Sequence, residues 1–319
     1  MKNALALDRT ATMDVADSTS KLWDAVRSFV SGFTVETTPA AASKVARFGA
    51  TLRPGASVYI TFLPGSDFAD TLATATKLRA EGFNPVPHLA ARSLPSARFL
   101  DEGLRRLTGE AGVAEVLCIG GAVRQPVGAF SDTLQVLATG LFDKHGIGRI
   151  GVAGHPEGSP DIAEAAIAQA LQWKNAFAAR TGAELYILTQ FCFEAGPIIA
   201  WDKRIRAAGN RLPIRIGIPG IATLKTLLAY AKACGIGPSM TFLTKQARNI
   251  TKLMTLSAPD ALIAELAAYR ANDPDCGIVG CHMFPLGGLK KTAAWSYAVA
   301  DGNFILNPKG GFNLTVDIG

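Results

Sequence analysis

The side chains able to do chemistry in this chain fall where apolar runs stop. Glu36 lies inside "FTVETTP", between Val35 and Thr37, and Thr61 lies in the run "SVYITF". His88 follows Pro85-Val86-Pro87, His155 and Glu157 follow "RIGVAG", Gln190 ends "ELYILTQ", and His282 ends "GIVGCH". A carboxylate in a strand that must contribute to a core is costly unless it is paired or protonated. A general acid needs such surroundings; the plainer role is an ion pair with a lysine or arginine. Gln190 can both donate and accept, which suits a heterocycle with an amide-like edge, or it simply caps the strand. Phe191 and Phe193 beside it would stack on a flat ligand or fill the core. The stiff proline approach fixes His88 at a strand end, where it meets a phosphate, a cofactor ring edge or a backbone carbonyl. His282 reads the same way, with the structural role favoured.

Several chemistries are disfavoured by spacing. The histidines form no H-E-x-x-H cluster, which argues against a metal. The five cysteines are odd in number, scattered and free of any C-x-x-C pair, so reduced thiols are expected rather than a disulfide framework or a zinc site. Neither a G-x-S-x-G elbow nor a P-loop is present, which leaves covalent catalysis with little support.

The elements that must position these residues alternate. Strands are expected at Phe33–Thr37, Ser57–Phe62, Asn84–Leu89, Val113–Ile119, Arg149–Ala153, Glu184–Gln190, Ile214–Ile218 and Gly277–His282. Helical spacing fills the gaps: Ala40–Thr51, Asp67–Glu81, Ser96–Thr108, Ser131–His145, Asp161–Thr181, Ile198–Ala208 and Leu224–Cys234. Two extra helices, Thr241–Leu256 and Pro259–Ala271, precede the last strand, and Leu289–Ala300 follows it. Eight such units predict a (β/α)8 TIM barrel. A doubly wound sheet is the rival, but its G-x-G-x-x-G turn after the first strand is absent. One catalytic unit is expected over residues 1–319, with 1–32 as an N-terminal extension carrying a helix at Ser20–Ser31. In such a barrel chemistry sits where strands exit into helices, which is where the polar residues fall. "GVAGHPEGSP" then stops its strand in a loop stiffened by Pro156 and Pro160, with Pro160 suited to a first helical turn.

Of the 319 residues, 49% are hydrophobic and 18% charged, enough to bury a large core and too apolar for disorder. The sequence has no uncharged apolar run of membrane-spanning length and no signal-peptide core near its start, so no membrane partner and a cytoplasmic location are expected. The net charge of +6 is spread over short clusters, which fits an anionic small ligand as well as solvated helix faces and gives no reason to expect nucleic acid. A homo-oligomer is allowed by the sequence without being specified.

Taken in order, "FTVETTP", "VPHL", "GVAGHPEGSP", "YILTQFCFE" and "RIGIPGIATLK" resemble successive strand motifs of the methylenetetrahydrofolate reductase family. The resemblance implies a (β/α)8 barrel that binds FAD non-covalently and passes hydride from NADH or NADPH to 5,10-methylenetetrahydrofolate, giving 5-methyltetrahydrofolate. It implies that Glu36 is the general acid and that Gln190, with Phe191 and Leu224, binds the pterin; the family often has phenylalanine at the position of Leu224. It further implies that Thr61, His88, Gly121, Ala122, His155, Glu157, Ser159 and Lys174 line the flavin.

The chain also departs from the family pattern. "CIGGAVRQP" puts Gly120 and Ala122 where arginine and aspartate are usual, with Arg124 or Asp132 as possible substitutes downstream. His155 stands for the usual tyrosine and Ser159 for a histidine. These changes weaken the expectation of FAD without touching Glu36 or Gln190. The expected function is an oxidoreductase of one-carbon metabolism acting on tetrahydrofolate derivatives. Its alternatives are a flavin-independent folate reductase or oxidase, and a folate-binding barrel that transfers a methyl group.

Overall fold

A computed structural model describes residues 18–233, 243–244 and 254–318. Eight parallel strands close into a barrel: β1 Thr34–Thr37, β2 Ser57–Ile60, β3 Asn84–Ala90, β4 Glu115–Ile119, β5 Arg149–Gly154, β6 Glu184–Phe191, β7 Ile214–Pro219 and β8 Ile278–Phe284. They pair in chain order, and β8 closes on β1 through Thr34 opposite His282 and Val35 opposite Met283. The (β/α)8 fold expected from the sequence is the fold observed, with each strand within two residues of its expected ends.

Two apolar layers follow from the strand period of two. Val35, Val58, Ile60, Val116, Val152, Ile187, Ile216, Ile218 and Met283 face outward into the core shared with the helices. Tyr59, Val86, Leu117, Tyr186 and Leu188 face inward and fill the barrel. Gly151 makes room for this filling, since a Cβ there would stand 2.7 Å from the Tyr186 ring. The barrel is therefore a packed core that opens only at its rim.

Helix ends use local capping. Asp67 accepts from Ala69 N–H, Ser96 from Phe99 N–H, and Asp132 from Leu134 and Gln135 N–H, each satisfying donors that a helix start leaves open. The N-terminal helix spans 18–30. Behind β7 and β8, Arg206 bridges Asp202 at 3.2 Å and Asp273 at 3.0 Å, and Tyr269 donates to Asp202. This ties helix Ala195–Ala207 to helix Asp260–Asn272.

Two helix expectations are corrected. Ala40–Thr51 is a single turn, Pro39–Ala42, followed by a 3-10 turn, Phe48–Ala50. Lys77 Nζ donates to the carbonyls of Ala42 and Val45, and Glu81 accepts the Phe48 N–H, so tertiary partners replace a continued helix. Ser131–His145 is divided into Thr133–Leu137 and Leu141–Lys144 at Gly140, whose φ is 70°. Thr241–Leu256 lies almost wholly outside the described residues, and its last residue is extended, Leu256–Ser257 pairing antiparallel with Ala222–Thr223. Among the described residues no helix is long and apolar enough to cross a membrane.

Candidate active site at the C-terminal mouth of the barrel

Alternation along β1 turns Thr34 and Glu36 to the barrel interior while Val35 joins the outer core. Glu36 stands opposite Tyr59 in register. Its side chain is 16% exposed, with Oε2 3.6 Å from Nε2 of the fully buried His282. The other nitrogen of that ring, Nδ1, is 2.8 Å from Thr34 Oγ1. The ring of Tyr59 packs against both histidines, 4.6 Å from His282 and 6.1 Å from His88. Burial pushes His88 down to about 4, opposed by the nearby Glu36 and reinforced by His282, so His88 is an uncharged imidazole at neutral pH. His88 Nε2, His282 Nε2 and Thr61 Oγ1 are buried without hydrogen-bond partners. The fold thus brings Glu36, Thr61, His88 and His282 to the same end of the barrel.

Gln190 reaches the mouth through a bulge. Leu188 pairs with Arg215 but Phe191 pairs with Gly217, so Thr189 and Gln190 together oppose one residue of β7. Thr189 Oγ1 accepts the Gly217 N–H at 2.8 Å, replacing the lost ladder contact. Gly217 is required here because a Cβ would meet the Thr189 carbonyl at 2.6 Å and the Phe284 ring at 2.7 Å. Bulges of this kind re-aim a side chain at a barrel rim. Gln190 is exposed, and its Oε1 accepts the Phe191 N–H. Below it, Phe191, Phe193, Leu224 and Leu227 form an apolar wall with Phe284, whose ring is 5.2 Å from Phe191 and 5.0 Å from His282. Phe191 and Leu224 are therefore buried in the wall, and Gln190 is the polar group on its rim.

The β4 and β5 exits are built differently. Gly121 has φ 88° and sits on Ala90, where a Cβ would come within 3.0 Å of the alanine methyl; Ala122 is exposed. Asp132 is used as a helix cap and Arg124 is exposed. Arg92, which sequence reading missed, fastens this loop: Nε donates to Ser131 O, Nη1 to Val123 O and its amide to Gly120 O. After β5, Gly158 N–H closes a turn on His155 O with Pro156 second in it, a position that proline's fixed φ suits. Glu157 and Ser159 are half-buried, and Ser159 Oγ accepts the Asp161 N–H. Lys174 is the one buried residue of helix Glu164–Thr181. Its ammonium donates to Ala153 O at 3.5 Å, and burial lowers its pKa against the pull of Cys118 and Asp132. Burial, with the Lys174 charge, pushes His155 down to about 4.

Among the described residues the buried cysteines give thiol chemistry no support. Burial pushes Cys118 and Cys281 up to about 12 and raises Cys192 as well. No three His, Cys, Asp or Glu side chains among the described residues are placed to share a metal ion.

A closed parallel barrel with an acid, two imidazoles and an amide at the strand exits defines the class: an α/β-barrel whose chemistry is at its C-terminal end. Residues 34–239 match the family model of methylenetetrahydrofolate reductase, and the chain belongs to that family. At family level this is a folate-linked oxidoreductase fold. Among solved structures, a dihydropteroate synthase from Thermus thermophilus is 13% identical, the match covering 83% of this chain and 92% of that one at a TM-score of 0.40, too slight a likeness to carry an argument.

Proposed function

We propose that the protein, acting as one catalytic unit, interconverts 5,10-methylenetetrahydrofolate and 5-methyltetrahydrofolate by hydride transfer with NADH or NADPH. The observation that carries this is Glu36, a carboxyl group inside the barrel mouth, 3.6 Å from the His282 imidazole and within electrostatic reach of His88, with no arginine or lysine bridged to it among the described residues. A carboxyl group with no fixed cation bridged to it suits the role of general acid. In the reductive direction its proton goes to the folate nitrogen that leaves as the five-membered ring opens, while hydride is added to the one-carbon unit. Gln190 holds the polar edge of the pterin by donating and accepting, and Phe191 and Leu224 offer the apolar wall beneath it.

The mouth fits a flavin in two respects. Thr61 Oγ1 and His88 Nε2 are buried polar atoms without partners, and a heterocycle edge satisfies both. Lys174 supplies a buried cation near His155 at the β5 exit, suited to an anionic group. Thr61, His88, Gly121, Ala122, His155, Glu157, Ser159 and Lys174 would hold FAD, which when bound supplies a two-electron carrier between nicotinamide and folate. A second reading, direct hydride transfer without flavin, is favoured by the β4 exit: Gly121 and Ala122 bring no charge, and Arg92 is committed to carbonyls.

The visible spectrum of the purified protein, followed by titration with 5-methyltetrahydrofolate, tests both. Flavin bands released on denaturation and bleached by the folate support the first reading. A colourless protein that still exchanges hydride between nicotinamide and folate supports the second. Folate binding with no redox change under either nicotinamide would sink the oxidoreductase reading.

A further inference from the structure

We propose that the protein carries a second ligand site, outside the barrel mouth, that takes a short ω-amino acid. The site is independent of how Glu36 is used. Where the ring of helices would have its first member, the chain makes the single turn Pro39–Ala42. The space left between that turn and helix Phe68–Ala80 is a surface cavity of about 280 Å³. Pro39, Ala40 and Ala42 give it an apolar wall, and one face of the helix, Asp70, Ala73, Thr74 and Lys77, gives it a charged one.

The two charges stand at opposite ends of that face. Asp70 and Lys77 are seven residues apart, about 10 Å along the helix axis, with Ala73 and Thr74 between them. Asp70 is exposed, and the bond it makes is through its backbone carbonyl, which accepts from Thr74 Oγ1 at 2.8 Å. Among the described residues its carboxylate has no hydrogen bond or ion pair. Lys77 is anchored: Nζ donates to Ala42 O at 3.3 Å and to Val45 O, and lies 5.4 Å from the centre of the Phe48 ring. Two of its three N–H donors are thereby used and the third is open, and the carbonyl partners leave its charge in place.

An acceptor at one end, a donor at the other and an apolar middle select a zwitterion. Its ammonium donates to Asp70, its carboxylate accepts from Lys77, and its methylenes lie between Ala73 and Pro39. With a hydrogen bond of about 3 Å at each end, about 4–5 Å along the axis remains between the ligand's charged groups. That is the span of 4-aminobutyrate; an α-amino acid, with its charges on neighbouring atoms of one carbon, is too short. Because exposed charges contribute little each, the expected Kd is about 1 mM. The turn that forms the apolar wall begins three residues after Glu36, so an occupant also braces the exit of β1.

The test is an NMR titration of the protein with 4-aminobutyrate, following the backbone amides of Ala40, Ala73 and Thr74. Wild type should saturate with a Kd of about 1 mM, and glycine, butylamine and butyrate, which each lack the span or one charge, should bind at least about 5-fold more weakly. Asp70→Asn keeps the shape and should weaken 4-aminobutyrate to a similar degree. Ala73→Leu places a good helix former at an exposed position and fills the cavity, so it should abolish binding. Both variants lie away from the mouth, and folate turnover should stay within about 2-fold of wild type. Absence of saturation by about 20 mM, shifts that fall elsewhere in the protein, equal binding in Asp70→Asn, or butylamine binding as tightly as 4-aminobutyrate would each overturn the assignment.

Discussion

At the N-terminal end of the barrel Tyr59 and Tyr186 meet hydroxyl to hydroxyl, Tyr59 donates to Glu115 at 3.3 Å, and Arg149 lies 3.7 Å from Glu115 and over the Tyr186 ring. At the C-terminal end of the same barrel, His88 Nε2, His282 Nε2 and Thr61 Oγ1 are buried and unbonded. The floor is a finished network: burial, aided by Glu115, drives both tyrosine pKa values upward, so the hydroxyls keep their protons and the network keeps its donors. The mouth is unfinished, and each buried polar atom left open costs about 1–3 kcal/mol. Unbonded atoms occur elsewhere, as at Asp202 Oδ1, but there the carboxylate is compensated by Arg206 and Tyr269. The difference separates two uses of a buried polar group: one end of the barrel spends it on stability, the other keeps it open for a ligand.

The sharpest way to break that contrast is Glu36→Gln. If the mouth is built for proton transfer, this variant should lose about 10²- to 10⁴-fold in folate turnover, keep its affinity for 5-methyltetrahydrofolate, and unfold at the same or a higher temperature, because an ionisable group held for function is removed. Turnover close to wild type, or a marked drop in Tm, would place Glu36 among the structural groups of the floor.

A second effect follows from the imidazoles. His88 is pushed down to about 4 in the folded chain, below the ordinary histidine value of about 6.5. Between those two values the unfolded chain binds a proton that the native chain refuses. The stabilisation is whole above about pH 6.5 and is lost as pH falls toward 4, at about 1.4 kcal/mol per pH unit at most. His155 adds a smaller share, since solvent reaches it. Urea unfolding of wild type and His88→Asn across this window should show a shallower slope in the variant, and equal slopes would mean that His88 is not the group responsible.

The strands were legible because each is a short apolar run bounded by turn residues, and burial on both faces needs little else. Glu36 was legible for the same reason, as a charge inside one of those runs. Gln190 could be assigned to a strand end, but the bulge that re-aims it could not, because its cause, Gly217, belongs to a different strand and reads in sequence as an ordinary glycine. The approach of His282 to Glu36 was hidden too. Its anchor Thr34 is 248 residues away in the chain and becomes a neighbour only when β8 closes on β1. Arg92 has the look of a surface arginine until its carbonyl partners are folded around it. Gly217→Ala sharpens the point: its Cβ would stand 2.6 Å from the Thr189 carbonyl, so the bulge must shift. Expected are a loss of about 1–3 kcal/mol in stability and weaker 5-methyltetrahydrofolate binding by calorimetry. Unchanged binding in a destabilised protein would dissociate Gln190 from the ligand.

The smallest effect tests the other end. Tyr186→Phe keeps the ring that fills the barrel and removes one hydroxyl; Tyr59 retains Glu115 as acceptor, so no donor is stranded. One neutral hydrogen bond is worth about 1 kcal/mol net, so the unfolding free energy should fall by about that much, lowering the chemical-denaturation midpoint with no change in slope. Because Tyr59 still packs its ring against His282, kcat and KM for folate should both stay within about 2-fold of wild type. A Tyr186→Phe protein with wild-type stability and impaired turnover would mean that the floor tunes the chemistry through Tyr59, and the two ends of the barrel would then be one device.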